Sequence, residues 1–199
     1  MDGLNSRGAT ELAAMIASRS VSAIEVVEAH LQRIEHVNPA VNAITTTLAE
    51  SARTAAADID RAIAAGEKLG PLAGVPFTVK ENIDVAGSAT TWGVTAMRGQ
   101  IAHVDAPLVK RLREAGAIPI ARTNMPDFAF RWETESSNSG RTLSPWDPQR
   151  TPGGSSGGDA VALATGMTPL GIGNDLGGSL RVPSQMCGTA AIGPCVLVI

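Results

Sequence analysis

Two glycine-rich loops present the serine hydroxyls of this chain that are best placed to react. Ser155 and Ser156 lie between two pairs of glycines, and Ser179 directly follows Gly177 and Gly178. Glycine allows a backbone to bend tightly and allows another group to approach it closely. Hydroxyls presented on such bare backbone indicate either nucleophilic catalysis or anion binding by backbone N–H groups.

The first loop matches the G-x-S-x-G pattern of a nucleophile elbow, which requires an acid and then a histidine later in the chain. The three histidines, His30, His36 and His103, all precede the loop, so a histidine-dependent serine hydrolase is disfavoured. No Lys-Ser/Thr follows the glycines as a P-loop requires, and no dinucleotide-binding G-x-G-x-x-G opens a helix after a strand. Nucleotide binding is therefore weakly supported, while an anion-binding module stays open.

A lysine can replace histidine as the general base if its amine is neutral. Lys80 ends a short β-prone run that begins at Gly74, and strand ends are where α/β proteins place reacting groups. Making this amine mostly neutral at pH 7 requires lowering its pKa from ~10.4 by roughly three, which demands burial. A solvated strand-end lysine is the ordinary alternative on composition and spacing alone.

The elements that must position these groups alternate between helix and strand. Helices are predicted over residues 10–19, 22–37 and 48–65, the second with a capping box of Ser22 and Glu25 and an end at Asn38-Pro39. Further along, strands are predicted at 117–121 and 170–173, with a helix over 158–166. The chain is thus predicted to be α/β, with a mainly helical packing region at 1–70 and a catalytic α/β region at 71–199.

Composition excludes several classes of function. The 199 residues are 44% hydrophobic and 18% charged, the net charge is -3, and the aromatic residues are three phenylalanines and three tryptophans. With no block of like charges and few aromatic residues to stack on bases, nucleic acid is not an expected partner. No apolar run of ~18 residues occurs, so no membrane segment is expected and the cytoplasm is the predicted compartment. Cys187 and Cys195 suggest neither a disulfide framework nor a metal site, and no cofactor is expected.

Two stretches carry a family resemblance. Residues 153–188, GGSSGGDAVALATGMTPLGIGNDLGGSLRVPSQMCG, resemble the signature of the amidase signature family, and residues 71–87, PLAGVPFTVKENIDVAG, resemble its lysine-bearing segment. The spacings of 75 residues from Lys80 to Ser155 and 24 from Ser155 to Ser179 suit that family. The resemblance implies a mixed β-sheet flanked by helices, and hydrolysis of a small-molecule carboxylic amide to an acid and ammonia or an amine.

By the same resemblance, Ser179 would be the acyl-forming nucleophile, Ser155 a bridging serine after a cis peptide bond, and Lys80 the base. Protons would pass from Ser179 through Ser155 to Lys80. An oxyanion hole would be formed by the backbone N–H groups of Leu176, Gly177, Gly178 and Ser179.

Other residues near the two loops receive secondary roles. Asp175 and Arg181 are predicted to form a structural ion pair, and Ser156 to be a hydrogen-bonding neighbour in its loop. Apolar side chains that could line an acyl pocket, with core packing as the alternative, are Trp92, Met125, Phe128 and Trp132.

The family resemblance covers only part of the expected domain, because members of the family are more than twice this long. Residues 1–199 are therefore interpreted as the N-terminal portion of one amidase signature domain. Missing strands would leave apolar surface exposed and could solvate Lys80, and the apolar terminus Cys195 to Ile199 favours a truncated, inactive fragment as the alternative. An amidotransferase A-type subunit is a further alternative, disfavoured because residues 124–140 lack the serine- and threonine-rich pattern expected there.

Overall fold

Six strands form a four-stranded mixed sheet and a small hairpin in the computed structural model, which describes residues 3–193. The strands are β1 (Ile44–Thr47), β2 (Pro76–Lys80), β3 (Ile118–Thr123), β4 (Glu135–Ser136), β5 (Gly140–Arg141) and β6 (Gly171–Ile172). The sheet has the order β1-β3-β2-β6, and β4 pairs with β5 in the hairpin. Strand β2 runs parallel to both β3 and β6, whereas β1 is antiparallel to β3. The predicted α/β fold with a mixed sheet is confirmed.

In the described part of the chain, six α-helices flank the sheet: α1 (Ala9–Ala17), α2 (Ala23–Val41), α3 (Ala49–Ala64), α4 (Pro107–Glu114), α5 (Gly157–Ala164) and α6 (Arg181–Cys187). Buried residues of α1, α2, α3 and α5 join one hydrophobic cluster. Val109 of α4 joins a second cluster with Phe77 and Val79 of β2. The sheet is therefore covered on both faces, which is typical of parallel strands. Within residues 3–193, every helix is too short or too polar to cross a membrane.

Helix α2 begins as predicted but ends later than predicted. The Ser22 hydroxyl accepts from the Glu25 N–H, and the Glu25 carboxylate accepts from the Ser22 N–H, which confirms the capping box. The predicted end at Asn38-Pro39 is wrong, because the helix continues through Pro39 to Val41. Proline removes one hydrogen bond to the preceding turn, here in an exposed last turn where water can solvate the freed carbonyl.

Strand β1 is not predicted by the sequence pattern. Its four residues, Ile44 to Thr47, lie between two helices and pair with the buried strand β3. Residues 44–47 are β-branched, a composition that suits a pleated surface. Because β1 belongs to the sheet, the N-terminal helices and the later α/β segments share one core. The C-terminal residues from Pro194 onward, including Cys195 to Ile199, lie outside the described residues.

Candidate active site

Lys80 is fully buried at the end of β2. Successive side chains of a strand alternate between faces, so Lys80 shares a face with Thr78, opposite to Phe77 and Val79. The Lys80 Nζ donates to Ser155 Oγ at 2.7 Å. Burial lowers the pKa of Lys80 to about 8, against the opposing charges of nearby carboxylates. The expectation that a short sheet could solvate Lys80 is therefore wrong, because neighbouring strands and the serine loop already cover the amine.

Ser155 and Ser156 are also buried, in the loop that leads into α5. The peptide bond between Gly154 and Ser155 is cis, as the resemblance implies. A Cβ on Gly154 would lie within 2.9 Å of the backbone of Arg131 and Glu133. Gly154, directly before Ser155, is thus required by close contact with neighbouring backbone.

Ser179 lies next to the first serine loop through its backbone. The Ser156 N–H donates to the Ser179 carbonyl at 3.0 Å. Within residues 3–193, the Ser179 hydroxyl makes no hydrogen bond to Ser155 or to any other group. The structure therefore joins Lys80 to Ser155 and brings the Ser179 backbone alongside, without a direct link between the two serine hydroxyls.

Asp175 organises the loop that carries Ser179. Its carboxylate accepts from the N–H groups of Gly178 at 2.6 Å, Leu180 at 3.1 Å and Arg181 at 3.2 Å. Two nitrogens of the Arg181 guanidinium each donate to it at 3.0 Å. The hydrogen bond from Arg181, helped by the backbone donors, holds the pKa of Asp175 well below its usual range. The predicted structural ion pair is confirmed.

The four backbone groups predicted for the oxyanion hole are not equivalent. Gly178 donates its N–H to Asp175. Within the described part of the chain, the N–H groups of Leu176, Gly177 and Ser179 donate to no protein acceptor. Leu176 also exposes 99% of its surface. Three N–H groups are therefore available to a ligand, and the oxyanion hole itself stays a prediction.

The apolar residues proposed for substrate contact occupy different environments. Met125 is fully buried among core residues, whereas Phe128 is 48% and Trp132 is 67% exposed. The Trp132 Nε1 donates to the Gly177 carbonyl at 3.2 Å, and the Phe128 N–H donates to the Trp92 carbonyl at 2.9 Å. Trp132 is thus placed at the loop that carries Ser179, while Met125 packs in the interior.

Asn174 and Asp159 belong to the site although the sequence pattern does not single them out. The Asn174 Oδ1 accepts from Lys80 Nζ at 2.8 Å. The sequence could have indicated Asn174 by its position. It follows the end of β6, and the ends of the parallel strands β6 and β2 lie at the same edge of the sheet. Asp159 is 3% exposed in the first turn of α5, and burial raises its pKa. From sequence, an acidic residue there indicates only a favourable helix-dipole interaction.

Comparison with known proteins identifies the family. The family model "Amidase" matches residues 25–199. The chain belongs to the amidase signature family. The A-type subunit of a glutamyl-tRNA(Gln) amidotransferase from Acidothermus cellulolyticus is 48% identical over 98% of this chain and 38% of its own length. An indoleacetamide hydrolase from Bradyrhizobium diazoefficiens is also 48% identical, over 94% of this chain and 36% of its own length.

Solved structures agree with this assignment. A chain from a vestigial protein complex that reveals the evolutionary origins of an s-triazine catabolic enzyme has a TM-score of 0.89 and 41% identity. The likeness covers 92% of this chain and 40% of that one. The present chain therefore spans well under half the length of these relatives. The residues that match the family model, 25–199, include Lys80, Ser155 and Ser179.

Proposed function

We propose that this protein hydrolyses a carboxylic amide to an acid and ammonia or an amine through Ser179, Ser155 and Lys80. The observation that carries the proposal is the 2.7 Å hydrogen bond from Lys80 Nζ to Ser155 Oγ in a fully buried setting. Burial favours the neutral amine, which can accept a proton from a serine. The identity with an indoleacetamide hydrolase supports an amide as the substrate class.

The reaction would proceed through an acyl-enzyme. Ser179 Oγ attacks the amide carbonyl carbon while its proton passes to Ser155 Oγ, and Ser155 gives its own proton to Lys80 Nζ. Collapse of the tetrahedral intermediate breaks the C–N bond, and the leaving nitrogen takes the proton back along the same path. Water then attacks the ester by the same relay, which releases the acid and restores Ser179.

The surrounding groups suit this sequence of steps. A pKa of about 8 leaves about a tenth of Lys80 neutral at pH 7 and keeps its amine basic enough to hold a proton. We assign the oxyanion hole to the N–H groups of Leu176, Gly177 and Ser179, with Gly178 contributing only when Asp175 releases it. Each such donor is typically worth about 10²–10³ in rate.

A serine-directed covalent probe tests the proposal. An alkyl fluorophosphonate should add one label per chain, and intact mass together with peptide mapping should place it on Ser179. Ser179→Ala should abolish labelling, whereas Ser156→Ala, which removes a neighbouring hydroxyl outside the relay, should retain it. Ammonia release from indole-3-acetamide is the matching turnover assay. Cooperative unfolding of the protein together with no label on Ser179 would contradict the proposal.

An inactive fragment is the alternative that a specific observation supports. Two apolar side chains at the loop that carries Ser179 are widely exposed, Trp132 at 67% and Leu176 at 99%, and exposed apolar patches mark surfaces that contact something else. We interpret residues 1–199 as the N-terminal portion of one catalytic domain, and the probe experiment separates an active chain from a fragment that binds no substrate.

An amidotransferase A-type subunit is a second candidate, because the identity to such a subunit equals that to the hydrolase. An amidotransferase passes the released nitrogen to an acceptor, whereas a hydrolase releases it into water. Ammonia release by the purified chain from a simple amide supports the hydrolase. Labelling of Ser179 without ammonia release from any simple amide supports the amidotransferase role.

A further inference from the structure

Asp159 is a buried carboxyl that the proposed reaction does not use. It lies in the first turn of α5, four residues after Ser155, and exposes 3% of its surface. The Thr78 hydroxyl donates to its Oδ1 at 3.2 Å. Within residues 3–193, its Oδ2 has no hydrogen-bond partner. Buried polar atoms without a partner are uncommon, and each calls for a physical explanation.

The fold places this carboxyl on the same side of the sheet as Lys80. Thr78 and Lys80 are alternate residues of β2, so both side chains point to one face of the sheet. The hydrogen bond from Thr78 shows that Asp159 lies on that face. Gly171 of β6 leaves room for the carboxyl, since a Cβ there would lie 3.2 Å from Asp159 Oδ1. The carboxyl and the amine thus share one buried layer.

Helix α5 packs against strands β2, β3 and β6 and helix α6. Burial raises the pKa of Asp159 to about 7, whereas the hydroxyls of Thr123 and Thr78 and the charges of Lys80 on β2 and Arg122 on β3 favour the ionised carboxylate. Strand β6 contributes no titratable side chain. Helix α6 carries Cys187 and Arg181, and the Arg181 guanidinium is held by Asp175. Asp175 is the other carboxylate that favours the charged form of Lys80, and it is already paired.

We propose that Asp159 is a positioning residue for Lys80: its buried carboxylate stabilises the ammonium that forms when the serine relay delivers a proton to Nζ. The proposal rests on the proposed function, in which Lys80 is the base. Burial alone would make the amine too weak a base to hold that proton, and an opposite charge in the same buried layer corrects this. Asp159 then acts through Lys80 and touches no substrate.

Lysine NMR tests the proposal without requiring turnover. The chain contains three lysines, Lys68, Lys80 and Lys110, so a protein labelled with [¹³Cε]lysine should give three signals. The signals of Lys68 and Lys110, which are exposed, serve as internal standards. Asp159→Asn should lower the titration midpoint of Lys80 by about one pH unit or more and leave the others in place. A control, Asp58→Asn, removes one exposed carboxyl on α3 and should move none of the three.

A milder variant covers the case in which Asp159→Asn does not fold, as judged by tryptophan fluorescence and cooperative unfolding. Thr78→Val keeps the carboxyl and removes only the hydroxyl that stabilises its anion, so the Lys80 midpoint should fall by a smaller amount. An unchanged or raised midpoint in the folded variants would overturn the role of Asp159. Absence of Ser179 labelling in the wild-type protein, with the midpoint shift of Asp159→Asn intact, would instead refute the proposed function alone.

Discussion

Replacing Lys80 by methionine should make the protein more stable at neutral pH and less stable at high pH. The reason is that Lys80 is fully buried and burial lowers its pKa from 10.5 to about 8. Methionine fills a similar volume without a charge. It also removes the hydrogen bonds from Nζ to Ser155 and Asn174. The balance between these two effects depends on pH.

The magnitude follows from the two pKa values. Between about pH 8 and 10.5 the unfolded chain binds a proton at Lys80 that the folded chain does not, so the stability of the wild-type protein rises with pH across that window. Below pH 8, burying the charged amine lowers the free energy of unfolding by about 3 kcal/mol. At pH 10 the same burial lowers it by only about 1 kcal/mol. Two lost hydrogen bonds cost about 1 kcal/mol each. Lys80→Met should thus be about 1 kcal/mol more stable at pH 7 and about 1 kcal/mol less stable at pH 10.

Urea unfolding of both proteins from pH 7 to 10, followed by tryptophan fluorescence, measures this change in the sign of the stability difference. The chain has no tyrosine to titrate in this range. Burial raises the pKa of Cys187 to about 11, which affects both proteins alike and cancels in the difference. Lys110→Met, at an exposed lysine, should track the wild type throughout. Parallel stability curves for Lys80→Met and the wild type would refute the claim that the amine is held with a lowered pKa.

Three further substitutions test the site and the packing beneath it. Asn174→Asp would place a carboxylate where the amide oxygen now accepts from Lys80 at 2.8 Å, which should raise the pKa of the amine and move the onset of probe labelling to higher pH; an unmoved labelling profile would contradict this. Gly158→Ala would put a Cβ 2.5 Å from the Asn124 backbone and should cost about 3 kcal/mol in thermal unfolding. Gly177→Ala meets nothing within 4 Å and should be nearly neutral; equal effects of the two alanines would count against the packing argument.

The parts of the fold that sequence could predict are those fixed by local rules. A capping box defined the start of α2, and a short β-prone run ended at Lys80 as predicted. The glycine-rich sequences around Ser155 and Ser179 predicted the two serine-bearing loops, because glycine is needed where backbones approach closely. The family resemblance then implied which serine follows a cis bond, and the structure has that bond at Ser155.

The parts that sequence did not predict depend on which elements become neighbours. Strand β1 has only four residues, and its identity as a strand comes from pairing with β3. Asn174 becomes a partner of Lys80 only because β6 lies beside β2. Asp159 would be an ordinary helix-start acid if α5 did not pack on the same face of the sheet. Such contacts follow from strand order, which local propensity does not encode.

The two halves of the proposed relay rest on different kinds of structure. Lys80 and Ser155 are buried between β2, β6 and the start of α5, and their hydrogen bond belongs to the packed sheet. Ser179 lies on a loop held by Asp175 and Arg181, beside the fully exposed Leu176. Contacts with solvent and with other surfaces therefore affect the nucleophile before they affect the base. The lysine titration should consequently report a lowered pKa even in a sample where Ser179 labels slowly, so the two measurements locate any loss of activity in one half of the site or the other.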